Sequence, residues 1–166
     1  MRIRPVLALP AVAVALLLAA PQSGSAAARP AQCTEKAVVV HAHRSADPTL
    51  LHLDVTNRST RACTIERIPA VVFGDLDGAA LPVPAGRSGP YLLEADRTAY
   101  AALRTIADPA DPEARRVEAI SVSADPMRFG RTFTARELGV GRVVLVWEPV
   151  TSWWKPSQAS ADRALG

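Results

Sequence analysis

Aromatic side chains are scarce in this 166-residue chain, at 5% of residues, and cysteine appears only as Cys33 and Cys63. Two cysteines so far apart exclude a Cys-x-x-Cys redox centre. The glycines build no phosphate-cradling loop: Gly139-Val140-Gly141 is a pair of glycines ahead of a strand pattern and reads as a turn. Charge of one sign is lacking too. Acidic and basic side chains are interspersed, as in Glu113-Ala114-Arg115-Arg116-Val117-Glu118. That pattern is a solvated surface and not a nucleic-acid stripe, so no nucleic-acid partner is expected. Beyond Ala20 there is no apolar run of the ~20 residues that a helical membrane span needs.

What the chain does contain begins at its start. Met1-Arg2-Ile3-Arg4 is short and positive, residues 6–20 are apolar without a charge, and Pro21-Gln22-Ser23-Gly24 leads into Ser25-Ala26-Ala27-Ala28. This is the three-part layout of a secretory signal. Residues 1–28 are expected to be a signal peptide cut after Ala28, with Ala26 and Ala27 as alternative sites, and the product to be secreted and extracellular. A membrane anchor is disfavoured because the run is short and Pro10 interrupts it. Pro30-Ala31-Gln32 ahead of Cys33 is not a lipidation box. Loss of Arg2 and Arg4 leaves 17 of 19 basic side chains against 16 acidic ones, so the formal +3 of the whole chain says little about partners.

The remainder fits one domain, and 14 prolines with few aromatics favour β-structure with many turns. Residues 36–43 and 50–56 alternate around Ser45-Ala46-Asp47-Pro48, a hairpin signal. Residues 62–66 and 70–74 follow, split by Pro69. Asp75-Leu76-Asp77-Gly78 predicts a hairpin turn, with residues 79–83 returning. Residues 91–94, 98–105, 117–123, 131–135 and 142–147 complete a set of roughly nine short strands without an amphipathic helix. The expected fold is an all-β, two-sheet β-sandwich over residues 29–155. Residues 156–166 have little to bury and are expected to form a disordered tail.

Leu53-Asp54-Val55-Thr56-Asn57-Arg58-Ser59, Cys63-Thr64-Ile65, Ile68-Pro69-Ala70-Val71, Asp75–Gly78 and the strand at 93–103 resemble the domain of unknown function 4232. The resemblance runs from Cys33 to about Trp147. It implies an immunoglobulin-like sandwich in a secreted or lipid-anchored actinobacterial protein, and no established activity. Arg67-Ile68-Pro69 departs from the family's Gly-Tyr-Pro, Glu94-Ala95-Asp96 from its Pro-Gly turn, and a second cysteine pair found in many members is missing.

Few residues suggest chemistry. Gly86-Arg87-Ser88-Gly89-Pro90 is not a nucleophile elbow, because no strand–turn–helix surrounds Ser88. Asn57-Arg58-Ser59 satisfies a glycosylation sequon, but a polar turn accounts for it. The cysteines can be free, share a metal or pair; an even number in an exported chain argues for a disulfide between Cys33 and Cys63. Strand alternation puts His41, His43, His52 and Asp54 on the face opposite Leu51, Leu53 and Val55. A symmetric hairpin centred on Ala46 and Asp47 sets His41 directly across from His52, a spacing that suits Zn(II) or Cu(II). Trp147 ends an alternating strand and is assigned to the core. Trp153 and Trp154 are adjacent, so one can enter the core while the other covers the end of the sandwich or serves recognition.

The expectation is a non-catalytic interaction module at or outside the cell envelope, with an unknown protein or a cell-wall component as partner and no cofactor. The alternative is an envelope zinc- or copper-binding protein using His41, His43, His52 and Asp54. A hydrolase whose residues meet only in space is a third class. Protein recovered from culture medium is expected to begin within a few residues of Arg29 and to carry no lipid. Intact-mass spectrometry checks this; a retained Met1, or a diacylglycerol on Cys33, contradicts it.

Overall fold

Alternation of buried and half-exposed residues builds the central ladder. A computed structural model describes residues 30–86, 89–127 and 130–166. The expected signal segment, and Ser88 with its neighbour Arg87, lie outside the described residues. In chain order the strands are β1 (Val38–Arg44), β2 (Leu50–Asn57), β3 (Cys63–Ile65), β4 (Ala70–Phe73), β5 (Leu81–Val83) and β6 (Tyr91–Leu93). They continue as β7 (Thr98–Arg104), β8 (Arg115–Val117), β9 (Ala119–Ser123), β10 (Arg131–Thr134), β11 (Val144–Val146) and β12 (Val150–Ser152), followed by one helix, α1 (Gln158–Asp162).

Five strands form one sheet in the order β1-β2-β7-β12-β5, antiparallel except for the parallel β12–β5 pair. A second sheet runs β10-β9-β4, and β11–β8 and β3–β6 are separate antiparallel pairs. Leu51, Leu53, Val55 and Leu103 from the first sheet share one buried cluster with Val71, Phe73, Ile120, Val122 and Phe133 from the second. The architecture is therefore the expected all-β sandwich, with the core between facing sheets.

Several local expectations are corrected. The predicted strand at 117–123 is two strands. Glu118 separates them, and its carbonyl accepts the Ala135 N–H at 2.8 Å, so β8 pairs with β11 while β9 joins β4 and β10. The Asp75–Gly78 turn does not make a two-strand hairpin. The returning chain makes a backbone bond from Ala80 to Val71 at 3.0 Å, and β5 then joins the other sheet. Trp147 is half-exposed and not core, because Val144 and Val146 take the buried parity of β11.

The expected disordered tail is ordered structure. Ser157 caps α1 by accepting the Ser160 N–H. Ala161 and Leu165, four apart on the same side of the segment, bury against Ala102 with Leu50, Tyr100 and Val150 around them, on the sheet face away from the core. The Arg104 guanidinium donates to the Leu165 carbonyl at 2.7 Å, and Tyr100 and Lys155 exchange two backbone bonds.

Cys33 and Cys63 form a disulfide with a Cα–Cα distance of 4.9 Å. The segment before β1 is laid along β3, with Cys33 N–H donating to Thr64 C=O at 2.8 Å and Thr64 N–H to Ala31 C=O at 2.9 Å. The bridge closes a 30-residue separation, for which loop-closure entropy gives roughly 3–4 kcal/mol. Cys63→Ala is expected to cost about 3 kcal/mol of unfolding free energy, read by chemical denaturation of the folded protein. An unchanged midpoint would show that the bridge is energetically idle.

Candidate functional site

His41, His43, His52 and Asp54 lie on the outer face of the five-stranded sheet, opposite buried Ala42, Leu51, Leu53 and Val55. Their register differs from expectation. His43 is opposite His52, and His41 is opposite Asp54. The cause is the turn. The Asp47 carboxylate accepts from the Thr49 hydroxyl at 2.7 Å and the Thr49 N–H at 2.8 Å, Leu50 N–H donates to Asp47 C=O, and Ser45 N–H donates to Leu50 C=O. A loop of Ala46, Asp47, Pro48 and Thr49 thus replaces the symmetric turn. The pairing shifts by two residues, which preserves the face because side chains repeat with period two.

The histidines do not converge on a metal site. Among the described residues, no group of three or more His, Cys, Asp or Glu side chains is placed to hold a metal ion. The His43 and His52 rings meet edge to face at 5.5 Å between centroids. His52, only 18% exposed at its side chain, points Nε2 at Asp162 Oδ1 of α1 at 3.2 Å without hydrogen-bond alignment. Asp162 instead accepts from Gln158 Nε2 at 2.9 Å. Sequence reasoning missed Asp162 as a neighbour of this face because it comes from the segment assigned to the tail; the Ser157-x-x-Ser160 cap and the Ala161–Leu165 spacing were the available signals.

The tryptophan pair divides as its adjacency requires. Trp154 is buried in the core, and Trp153 stays half-exposed with its indole N–H donating to Pro84 C=O at 3.0 Å. Trp153 therefore ties the end of the five-stranded sheet to the loop after β5. Trp147 walls a cleft of about 410 Å³ beside exposed Asp75, Asp77 and Glu148.

A different surface was not foreseen. An apolar cavity of about 230 Å³ opens beside β1, lined by Cys33, Val38, Val40, Ile65 and Ala124. Across it, Gln32 Nε2 donates to Asp125 Oδ2 at 2.6 Å. The disulfide positions one wall by holding residues 31–33 against β3. Gly130 allows the far wall to approach β9, since a side-chain carbon there would collide with the Val122 carbonyl.

A family model described as "Domain of unknown function (DUF4232)" matches residues 33–154. The chain belongs to this family. No curated protein and no solved structure matches the chain. The matched span of this DUF4232 domain opens at the bridged Cys33 and closes at the buried Trp154, leaving α1 beyond it. Within it, Thr56-Asn57-Arg58-Ser59 is a structural device. Fully buried Asn57 donates from Nδ2 to the carbonyls of Arg61, Leu93 and Glu94 and accepts from the Ser59 N–H and hydroxyl. That network locks the turn after β2 to the chain after β6, and it withdraws the sequon's amide from solvent.

The two Thr49 hydrogen bonds, the hydroxyl first, hold the Asp47 pKa below its ordinary value. A depressed carboxylate stabilises the fold above its unfolded pKa and loses that contribution as pH falls through the folded one. The turn contact is expected to be complete at neutral pH and to fail only below the ordinary aspartate range of ~3.9. NMR titration of the Asp47 carboxyl is expected to give a midpoint below that range, rising toward it in Thr49→Val. A midpoint at or above the ordinary value in the unaltered protein would refute this account of the register.

Proposed function

We propose that this protein is an exported, non-catalytic binding module that contacts a protein or cell-wall component through the apolar cavity beside β1. The single observation behind the reading is that cavity, bounded by the disulfide and by the outermost strand of the larger sheet. Clefts with apolar walls and a few placed polar groups are the usual contact sites of binding domains, and here Gln32 and Asp125 supply the polar pair. Export is supported by the charged and apolar start of the chain, its small-residue run and the disulfide. The family resemblance supports reading the sandwich as immunoglobulin-like and its origin as actinobacterial.

The non-catalytic part of the reading is supported by the surroundings of the histidines. Among the described residues, His52 Nε2 has Asp162 Oδ1 beside it and makes no hydrogen bond to a hydroxyl.

The test uses an apolar reporter. Anilinonaphthalene sulfonate titrated into the folded protein is expected to bind saturably at one site. Val38→Trp, at a half-exposed position on the cavity rim, is expected to weaken it about tenfold, or ~1.4 kcal/mol. Non-saturable dye binding, or equal binding by the variant, would reject the cavity as the contact surface.

A further inference from the structure

The cleft walled by Trp147 shares no lining residue with the cavity beside β1. It forms where β11 runs out. Val144 and Val146 take the buried parity of that strand, so Trp147 emerges half-exposed. The chain then turns at once, because Pro149 follows and β12 begins at Val150. Glu148 makes the turn at a φ of 45°, in the left-handed region that side chains with a Cβ seldom enter. Hydrogen bonds hold the backbone on both sides of it. Trp147 N–H donates to Thr105 C=O, and Leu81 N–H to Pro149 C=O, each at 2.9 Å.

The opposite wall is the turn after β4. Leu76 N–H donates to Phe73 C=O at 2.9 Å and curls the chain, and Gly78, at a φ of 95°, sends it back. Asp75 and Asp77 stand exposed on this turn. Arg115, opposite Val146 in the β8–β11 pair, completes the rim, and Phe73, Leu76 and Pro149 add apolar lining. At about 410 Å³ the cleft falls within the ~300–1,000 Å³ of small-molecule sites.

Its polar groups are not engaged with one another. Among the described residues, the side chains of Asp75, Asp77, Glu148 and Arg115 make no hydrogen bond or ion pair, and the Trp147 indole N–H has no acceptor. Turn aspartates elsewhere behave differently. Asp47, Asp108 and Asp111 each accept the backbone N–H two residues on.

Charge and ring together select the ligand. Three carboxylates against one guanidinium make the cleft negative, and the face of an indole is negative as well. Both repel an anion. The carboxylates do not converge on a point either: among the described residues, no three acidic, histidine or cysteine side chains are placed to hold a metal ion. What fits is a broader cation that lies against a ring and has acids around it.

We propose that this cleft binds an organic cation, an ammonium or guanidinium group on a short apolar stem. The Trp147 ring takes the charged head by cation–π attraction. Asp75, Asp77 and Glu148 complement its charge, and Leu76 and Pro149 pack on the stem.

The probes are choline, with its neutral carbon isostere, and lysine and arginine blocked at both ends, with blocked norleucine. Binding is followed by calorimetry and by the Trp147 indole N–H resonance. A cation is expected to bind one to one and to shift that resonance in preference to those of Trp153 and Trp154. Its neutral counterpart is expected to bind about tenfold more weakly. Trp147→Leu, and separately Asp77→Asn with Glu148→Gln, are each expected to weaken binding about tenfold. The carboxylate pair is exposed, so that variant is expected to keep the unfolding midpoint and to lose the preference for charge; it decides the matter if Trp147→Leu does not fold. Binding of choline, with or without the blocked residues, supports a site for free organic cations. Binding of the blocked residues alone supports a site for a basic side chain of a partner protein. Saturable binding by none of the cations, equal binding by the neutral counterparts, or an affinity that either variant leaves unchanged overturns the proposal. The dye titration at the cavity beside β1 bears on a different surface, so the two readings stand or fall separately.

Discussion

The pairing of β2 with β7 carries the rest of the structure. It runs without a break from Leu50 opposite Arg104 to Thr56 opposite Thr98, and it buries Leu51, Leu53, Val55, Ala99, Ala101 and Leu103 on the core side. Full burial of each large aliphatic side chain is worth roughly 1.5–3 kcal/mol. The exposed Arg131–Glu137 pair, at 4.0 Å, belongs to a class worth about 0–1 kcal/mol. Packing against this ladder, and not surface charge, holds the two sheets together. Asn57 continues the ladder into the following turn, where its buried amide replaces backbone partners that the irregular chain cannot supply.

The disulfide acts at the margin of that core. It adds little apolar area, but it ties residues 31–33 to β3 and so gives the sandwich a wall that a free N-terminal segment would not keep. The cavity beside β1 is a consequence. Cys33 and Ile65 line it together because the Cys33–Cys63 bond and the parallel Gln32–Thr64 backbone bridge hold the segment before β1 along β3. Stability and the candidate contact surface are therefore coupled through one covalent bond.

The opposite face of the larger sheet is used differently. Ala102 has a methyl side chain, so α1 can approach closely enough to bury Ala161 and Leu165 over it. That docking brings Asp162 to His52 and leaves His41 and His43 at the solvent edge. The four-residue set read from the sequence as a metal candidate is thereby divided: one imidazole is covered by the helix, and two are left on β1.

Much of this was legible along the chain, because strands repeat with period two and that period is local. Alternation in residues 50–56 separated the core side chains from His52 and Asp54, the cysteine count in a chain read as exported pointed to the bridge, and the adjacency of Trp153 and Trp154 required that they part. What pattern alone could not show depended on partners distant in sequence. The histidine register followed from hydrogen bonds inside one turn, where Thr49 captures Asp47. The division of residues 117–123 between two sheets, and the exposure of Trp147, depended on which strands lie alongside. The docking of α1 needed the small side chain of Ala102 on the sheet face that receives it, and the cavity beside β1 existed only once the strand order had made β1 the last strand of its sheet. By itself the sequence determined the all-β class, the faces of β1 and β2 and the bridge, because these arise from local alternation and composition; tertiary structure decided register, sheet membership and accessible surface, because each is set by which remote backbone groups find one another.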